Sequence, residues 1–179
     1  MSYKTIFYSH ELLMNQIRTK RLIIKKPTEK ISKQLIVSQI GDWEVAKWLS
    51  GVPYPYTEER AEEWLNNINE DDLLFSIFIN DLLIGGVGLS LEENNDYDLG
   101  FWIARDYWGK GYATEAAMGI IQYVKKEFKL KQIKACHIKG NTASSNVLRR
   151  LGFEETGECE EFFLSRGQVM PCIQLELNF

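Results

Sequence analysis

Residues 97–117 read YDLGFWIARDYWGKGYATEAA, and this stretch decides the fold. Tyr97–Ala104 is rich in β-forming residues, Trp108-Gly109-Lys110-Gly111-Tyr112-Ala113 sets two glycines in a tight turn, and from Ala113 the apolar period changes. Ala113, Ala117, Ile120, Ile121, Val124 and Phe128 fall at i, i+4, i+7, i+8, i+11 and i+15, the stripe of a helix lying on a sheet. A strand therefore runs through a glycine turn directly into a helix. The first amides of such a helix lack intrahelical partners, its dipole favours negative charge, and glycines let backbone N–H groups close around an anion. Two nucleotide motifs fail on spacing. A Walker loop needs Ser or Thr where Gly111 stands, and its first glycine where Ala104 stands. A dinucleotide fingerprint needs a small residue at Thr114 and a preceding parallel unit. An isolated Gly-x-Gly also fits a plain strand-to-helix turn.

Upstream, Leu73–Ile79 and Leu82–Leu91 are joined by Asn80-Asp81, two residues that tolerate the left-handed backbone of a short hairpin. With Tyr97–Ala104 after the polar turn Glu92–Asp96 they make an antiparallel meander. Arg21–Lys26 reads as a first strand, closed by Pro27-Thr28. Helical spacing follows in Ile31–Ile40, Asp42–Leu49 and Thr57–Ile68, with Thr57 as N-cap ahead of Glu58 and Glu59. Downstream, Gln132–Ile138 reads as a strand, Ser144–Leu151 as a short helix ending at Gly152, and Val169–Leu177 as a closing strand. The sum is an α+β fold with a central, mixed but mostly antiparallel sheet and flanking helices. No linker or repeat divides the chain, so residues 1–179 are expected as one domain, 1–18 being an N-terminal extension.

The composition, 45% hydrophobic and 26% charged over 179 residues, is that of a globular protein. Lys+Arg number 21 against Asp+Glu 25, and a net charge of −4 offers no basic footprint for nucleic acid. The longest apolar runs fall well short of the ~20 residues a membrane span needs, and the N-terminus lacks the pattern of a signal peptide, so the chain is expected in the cytosol. Cys136, Cys159 and Cys172 are odd in number and lack CxxC spacing, which reads as idle thiols rather than a disulfide framework or zinc site. In HELLM, Met14 stands where a zinc-binding HExxH helix needs its second histidine, after His10. No metal is expected.

A second segment, Asn141–Phe153 (NTASSNVLRRLGF), makes the first one specific. Together they resemble the GNAT superfamily of N-acetyltransferases, in the branch that includes the ribosomal-protein N-terminal acetyltransferases. Trp108 to Ala113 is similar to the family's acyl-CoA pyrophosphate loop, with Trp108 in place of the usual Gln or Arg, and Thr114-Glu115-Ala116 continues its helix. Asn141-x-x-Ser144, Val147-Leu148 and Leu151-Gly152-Phe153 match the second motif, and TKRLIIKKPT from Thr19 resembles the branch's first strand.

The resemblance implies acetyl-CoA as donor, its diphosphate on the amides of Gly109, Lys110, Gly111, Tyr112, Ala113 and Thr114, with Lys110 adding charge. Pantetheine would pair with the strand at Trp102, Ile103 and Ala104 in a gap where this strand and Gln132–Ile138 splay apart, Gly100 marking a bulge. Asn141 would anchor its arm, cap the Ser144–Leu151 helix, or both. The reaction would be direct transfer from thioester to amine, easier for an α-amine of pKa ~8 than for lysine at ~10.4. An amide near Ile103 would hold the oxyanion. Ser144 would protonate the thiolate, or cap its helix. Asp98 and Glu161, the latter beside Glu160, are the carboxylates placed for a base, and His137, whose simpler role is packing, could relay a proton. Tyr54 and Tyr56, between prolines, would line the amine entrance, while Trp48 and Trp64 read as core. The acceptor is expected to be a protein or peptide N-terminal α-amine. A small amine such as a polyamine or aminoglycoside, and a non-catalytic acyl-CoA-binding module, remain the alternatives, and the chain would be a monomer or homodimer.

Overall fold

The computed structural model describes residues 16–27, 33–68, 71–92, 96–128 and 130–179. The readings of His10–Met14, Thr28 and Ile31 lie outside them. The described residues form eight strands in one sheet: β1 (Gln16–Arg18), β2 (Ile23–Lys25), β3 (Leu73–Ile79), β4 (Leu82–Leu91), β5 (Tyr97–Ile103), β6 (Gln132–Ile138), β7 (Glu154–Phe163) and β8 (Gln168–Asn178). Their order across the sheet is β1-β2-β3-β4-β5-β6-β8-β7. Every neighbouring pair is antiparallel except β5 and β6, which run parallel and share a single pair, Asp98 with Lys134.

Asn80 and Asp81 hold φ of 47° and 64°, so the β3–β4 hairpin closes as its sequence predicts. The first strand differs from expectation. Thr19 N–H donates to the Leu22 carbonyl and Leu22 N–H to the Thr19 hydroxyl, which places Arg21 and Leu22 in a turn between β1 and β2. Part of the expected N-terminal extension is thus the edge of the sheet. Gly100 makes no bulge: it faces Gly88 in an unbroken β4–β5 register. The irregularity lies one ladder away, where the β3 register shifts between Ile77 and Phe78.

Five helices cover the sheet. On one face α4 (Tyr112–Glu127) buries Ala116, Ala117, Ile120 and Val124, and α5 (Thr142–Arg150) buries Leu148, against Leu99, Ile103, Ile133 and Ala135. On the other, α1 (Lys33–Ile40) and α3 (Glu58–Asn66) pack over Phe78 and Leu83, α2 (Trp43–Ala46) follows α1, and Thr57 caps α3 as expected. A third cluster, Ile138, Phe163 and Cys172, packs on this second face against Trp48.

Glu115, in the first turn of α4, ties the two ends of this architecture together. Its carboxylate accepts from the Thr19 hydroxyl at 2.6 Å and from the Arg21 backbone N–H at 2.7 Å, and pairs with Arg21 Nε at 2.6 Å. Burial alone would raise its pKa, but these bonds outweigh it and hold the carboxyl below its usual range. A lowered native pKa contributes stability above the unfolded value, near 4.5, and loses it as pH falls through the native one. Glu115→Ala should therefore cost about 1–3 kcal/mol in denaturant unfolding at neutral pH, and the gap to the parent should narrow in acid.

Candidate active site

The alternation of an antiparallel ladder determines which β5 groups are free. Ala104 N–H donates to the Ile84 carbonyl at 2.8 Å, so Trp102 and Gly100 also bond toward β4, and Phe101 and Ile103 point their backbone groups the other way, toward β6. Because β6 pairs only at Asp98, the gap beyond Phe101 opens as a V with Asp98 and Lys134 at its vertex. Trp108 Nε1 takes the Ile103 carbonyl at 2.6 Å. Phe101 and the Ile103 N–H are left as the edge a ligand can join.

A cavity of about 560 Å³ lies along this edge. Phe101, Trp102 and Ile103 form one wall and Asn141 and Ser144 the other, while Trp108, Gly109, Gly111, Tyr112, Ala113 and Thr114 close one end. Gly109 and Gly111 have φ of 72° and 79°, a backbone that costs glycine little and other residues more. Gly111 is the N-cap of α4 and has no side chain to cap it, so the first-turn amides face the cavity end as donors. Arg21 braces the loop from outside, donating to the Lys110 carbonyl at 2.9 Å with its guanidinium 4.5 Å from the centre of the Tyr112 ring. Asn141 caps α5, its Oδ1 accepting from the Ser144 N–H at 3.1 Å. The Ser144 hydroxyl is therefore not the cap.

On the face bearing α1–α3, β5 presents Asp98, Gly100 and Trp102 in alternation. The Trp102 indole lies over Gly86, where an added Cβ would come within 2.5 Å of Nε1. Burial, then the negative charges of Glu161 and Glu92, push the Asp98 carboxyl up to about 7, with Lys134 pulling weakly the other way. Lys134 itself pairs with Asp96 at 2.6 Å. Glu161, distant in sequence, thus stands near enough for its charge to act on Asp98.

The comparisons with known proteins agree with this geometry. Residues 21–154 match the model of the acetyltransferase (GNAT) domain. The chain belongs to the GNAT acetyltransferase family. An uncharacterized N-acetyltransferase, p20 of Bacillus licheniformis, is 27% identical over 92% of this chain and 96% of its own. YdaF of Bacillus subtilis, named provisionally as a ribosomal N-acetyltransferase, is 30% identical over 83% of this chain and 84% of its own. Among solved structures, RimL, a ribosomal L7/L12 α-N-protein acetyltransferase in complex with coenzyme A, superposes with a TM-score of 0.80 at 17% identity, covering 92% of this chain and 98% of RimL. This GNAT member is an acetyl-CoA-dependent N-acetyltransferase.

Several sequence expectations change. Tyr56 is 9% exposed and packs with Ile36, Ile40 and Ala61, because the loop after α2 turns it inward, so it lines no entrance. Tyr54 is 49% exposed, edge-on to Trp43 with ring centres 5.0 Å apart, and stays outside the cavity. Lys110 folds back, its Nζ donating to the Asp106 carbonyl at 2.9 Å, and does not line the cavity, while Arg150 does. Ala104, Asp98 and Glu161 are also outside the lining. Trp48 is not simple core: with Glu44 and Lys47 it walls the cavity mouth, whereas Trp64 is exposed. His137 is buried, its Nδ1 3.0 Å from the Ile138 carbonyl, in keeping with packing. No helix among the described residues is long and apolar enough to cross a membrane. Phe101 was legible from strand alternation; the Arg21 brace, 94 residues from Glu115, carried no local signal.

Gly111→Val tests the loop. A β-branched residue at φ of 79° must distort the turn that aims the α4 amides. The variant should fold and lose acetyl-CoA affinity by tenfold or more, read by calorimetry, while unchanged affinity would make the glycines a turn only.

Proposed function

We propose that this protein transfers the acetyl group of acetyl-CoA to the α-amine of a protein or peptide N-terminus. The observation that carries the reading is the V between β5 and β6, with donor amides at its open end and, at its vertex, Asp98 under the negative charge of Glu161. The diphosphate would rest on the amides from Gly109 to Thr114, with Arg150 supplying the charge expected of Lys110. Pantetheine would lie extended along β5 and exchange hydrogen bonds with Phe101 and the Ile103 N–H, as an added strand does. The Asn141 Nδ2 amide, whose oxygen partner already caps α5, is its donor from the far wall.

The amine reaches the thioester over Gly100, where an added Cβ would meet nothing within 4 Å. It arrives as an ammonium ion and must lose a proton before attack. Asp98, poised near neutrality, accepts that proton directly or through water. The amine nitrogen then bonds to the thioester carbon, the oxyanion is held by the Ile103 N–H, and the carbon–sulfur bond breaks as Ser144 gives its proton to the leaving thiolate and takes back the second proton of the nitrogen, directly or through water. An α-amine suits this base better than a lysine, whose pKa lies about three units above 7. The acidic side chains around the vertex, Asp98, Glu161 and Glu92, favour a cationic acceptor, and the relatives named for ribosomal-protein acetylation fit the same acceptor class. Products of assays over peptides, polyamines and aminoglycosides, read by mass, decide the acceptor. Turnover confined to small amines would overturn the N-terminal reading.

The base has a pH signature. Asp98 acts when ionised, so kcat/KM should rise with pH through about 7. Asp98→Asn should lose about 10²–10⁴-fold in kcat and flatten that limb. A carboxyl whose native pKa is raised costs stability once pH exceeds its unfolded value, so the same variant should be no less stable than the parent at pH 8. A destabilised variant with an unchanged pH profile would remove Asp98 from the chemistry.

Ser144 has its own test, sharpened by the finding that Asn141 is the cap. Ser144→Ala keeps the backbone N–H that Asn141 binds, so melting temperature should hold within a degree or two while kcat falls about 10²–10⁴-fold. Full activity would leave Ser144 as a lining residue only.

A further inference from the structure

Among the described residues one group of metal-ligating side chains converges. Cys136 of β6 and Cys159 and Glu161 of β7 each offer one ligand atom, and these atoms lie within 4.8 Å of one another. The register explains the convergence. Cys172 of β8 is the cross-strand partner of both Cys159 and Ile138, Cys136 lies two residues before Ile138, and Glu161 faces Met170. Three strands therefore raise three thiols and a carboxylate on the face that also carries Asp98. Spacing along the chain gave no sign of this convergence.

The geometry fits chelation. The Sγ atoms of Cys136 and Cys159 are 3.6 Å apart, far beyond a disulfide's ~2.05 Å. Two sulfurs on a tetrahedral zinc, each at ~2.3 Å, are separated by about 3.8 Å. Ile138, Phe163, Trp48 and Met170 pack beside the thiols, while Cys136, Cys159 and Glu161 are half-buried and within reach of a cation from solvent. Burial raises the pKa of the Cys136 and Cys172 thiols, which keeps them protonated and slow toward peroxides. A coordinated cation displaces the thiol proton outright.

We propose that Cys136, Cys159 and Glu161 bind a soft divalent cation of the zinc class, with the fourth position open to water, and that its occupancy arrests acetyl transfer. Each coordinating thiol releases one proton to solvent, and nothing is oxidised. The second half of the proposal rests on the function argued above. Cys136 lies two residues along β6 from Lys134, the ladder partner of Asp98, so a cation held there stands near the vertex, where its positive charge offsets that of Glu161 and repels the ammonium form of the acceptor.

The test separates the two halves. Protein stripped with a chelator and kept reduced is titrated with Co²⁺ and then Zn²⁺. A sulfur-to-cobalt charge-transfer band should saturate at one equivalent and vanish as Zn²⁺ displaces the cobalt. Cys159→Ser should weaken cobalt binding by tenfold or more, since disturbing even an outer partner of a metal costs about that much. Cys136→Ala serves as the second variant, and acetyl-CoA binding certifies that each folds. No band at one equivalent, or bands in both variants like that of the parent, would overturn the site. One equivalent of Zn²⁺ should stop formation of acetylated peptide by the parent, a chelator should restore it, and Cys159→Ser should resist. A saturated site with full turnover would overturn the arrest. The cobalt arm needs no acceptor, so it stays readable if no tested amine is acetylated.

Discussion

The rest of the structure depends on two neighbouring strands running parallel. Antiparallel strands can be joined by a two-residue turn, as Asn80 and Asp81 join β3 to β4, but parallel strands need a crossover. Between β5 and β6 that crossover is α4, which must return along one face of the sheet and so must begin at the C-terminal end of β5. The free amides of a helix start are thereby placed at the end of a strand whose outer edge is unpaired beyond Asp98. An anion site and a strand edge follow from one topological requirement. Gly109 and Gly111 let the chain turn from one to the other, and the Arg21–Glu115 pair holds the turn in place from the far edge of the sheet.

The vertex has the opposite electrostatic character. Asp98 is enclosed by β6 and by the acidic residues of the strands beyond, and Lys134, its ladder partner, spends its charge on Asp96. Ionising Asp98 there works against folding, which is the reason its pKa rises to about 7. The cost is local, since α4 buries its apolar stripe on the other face, where Leu99, Ile103, Ile133 and Ala135 meet it.

What the sequence disclosed followed the range of its signals. Period and turn chemistry are local, so β3, β4, the helix stripe of α4 and the Thr57 cap stand where their residues indicate. The loop from Trp108 to Thr114 and the Asn141–Ser144 pair were legible because each is a short motif whose chemistry needs adjacent residues. Tyr56 failed because exposure in a loop depends on what folds over it, here Ile36 and Ala61. Lys110 failed because a long side chain chooses between neighbours, and Asp106 and Tyr107 are nearer than the cavity. The convergence of Asp98 with Glu161, and of the three cysteines, is set by register across strands that are not adjacent in sequence, a quantity with no local trace.

That register also explains why the far side of the sheet bears on the chemistry. β6 and β8 lie between β5 and β7, so the charge of Glu161 acts on Asp98 across two strands, on the face that carries Trp48. The β7–β8 ladder shifts register between Glu155 and Gly157, and such an extra residue increases local twist and bends the strand. Beyond it Cys159 and Glu161 are half-buried, while Glu154 and Glu155 are exposed. The charge that acts on Asp98 therefore comes from a hairpin that begins after the second motif has ended. The glycine loop and the free strand edge follow from the α4 crossover, whereas the charge around Asp98 follows from the pairing of β7 with β8, so the two ends of the V rest on different stretches of the chain.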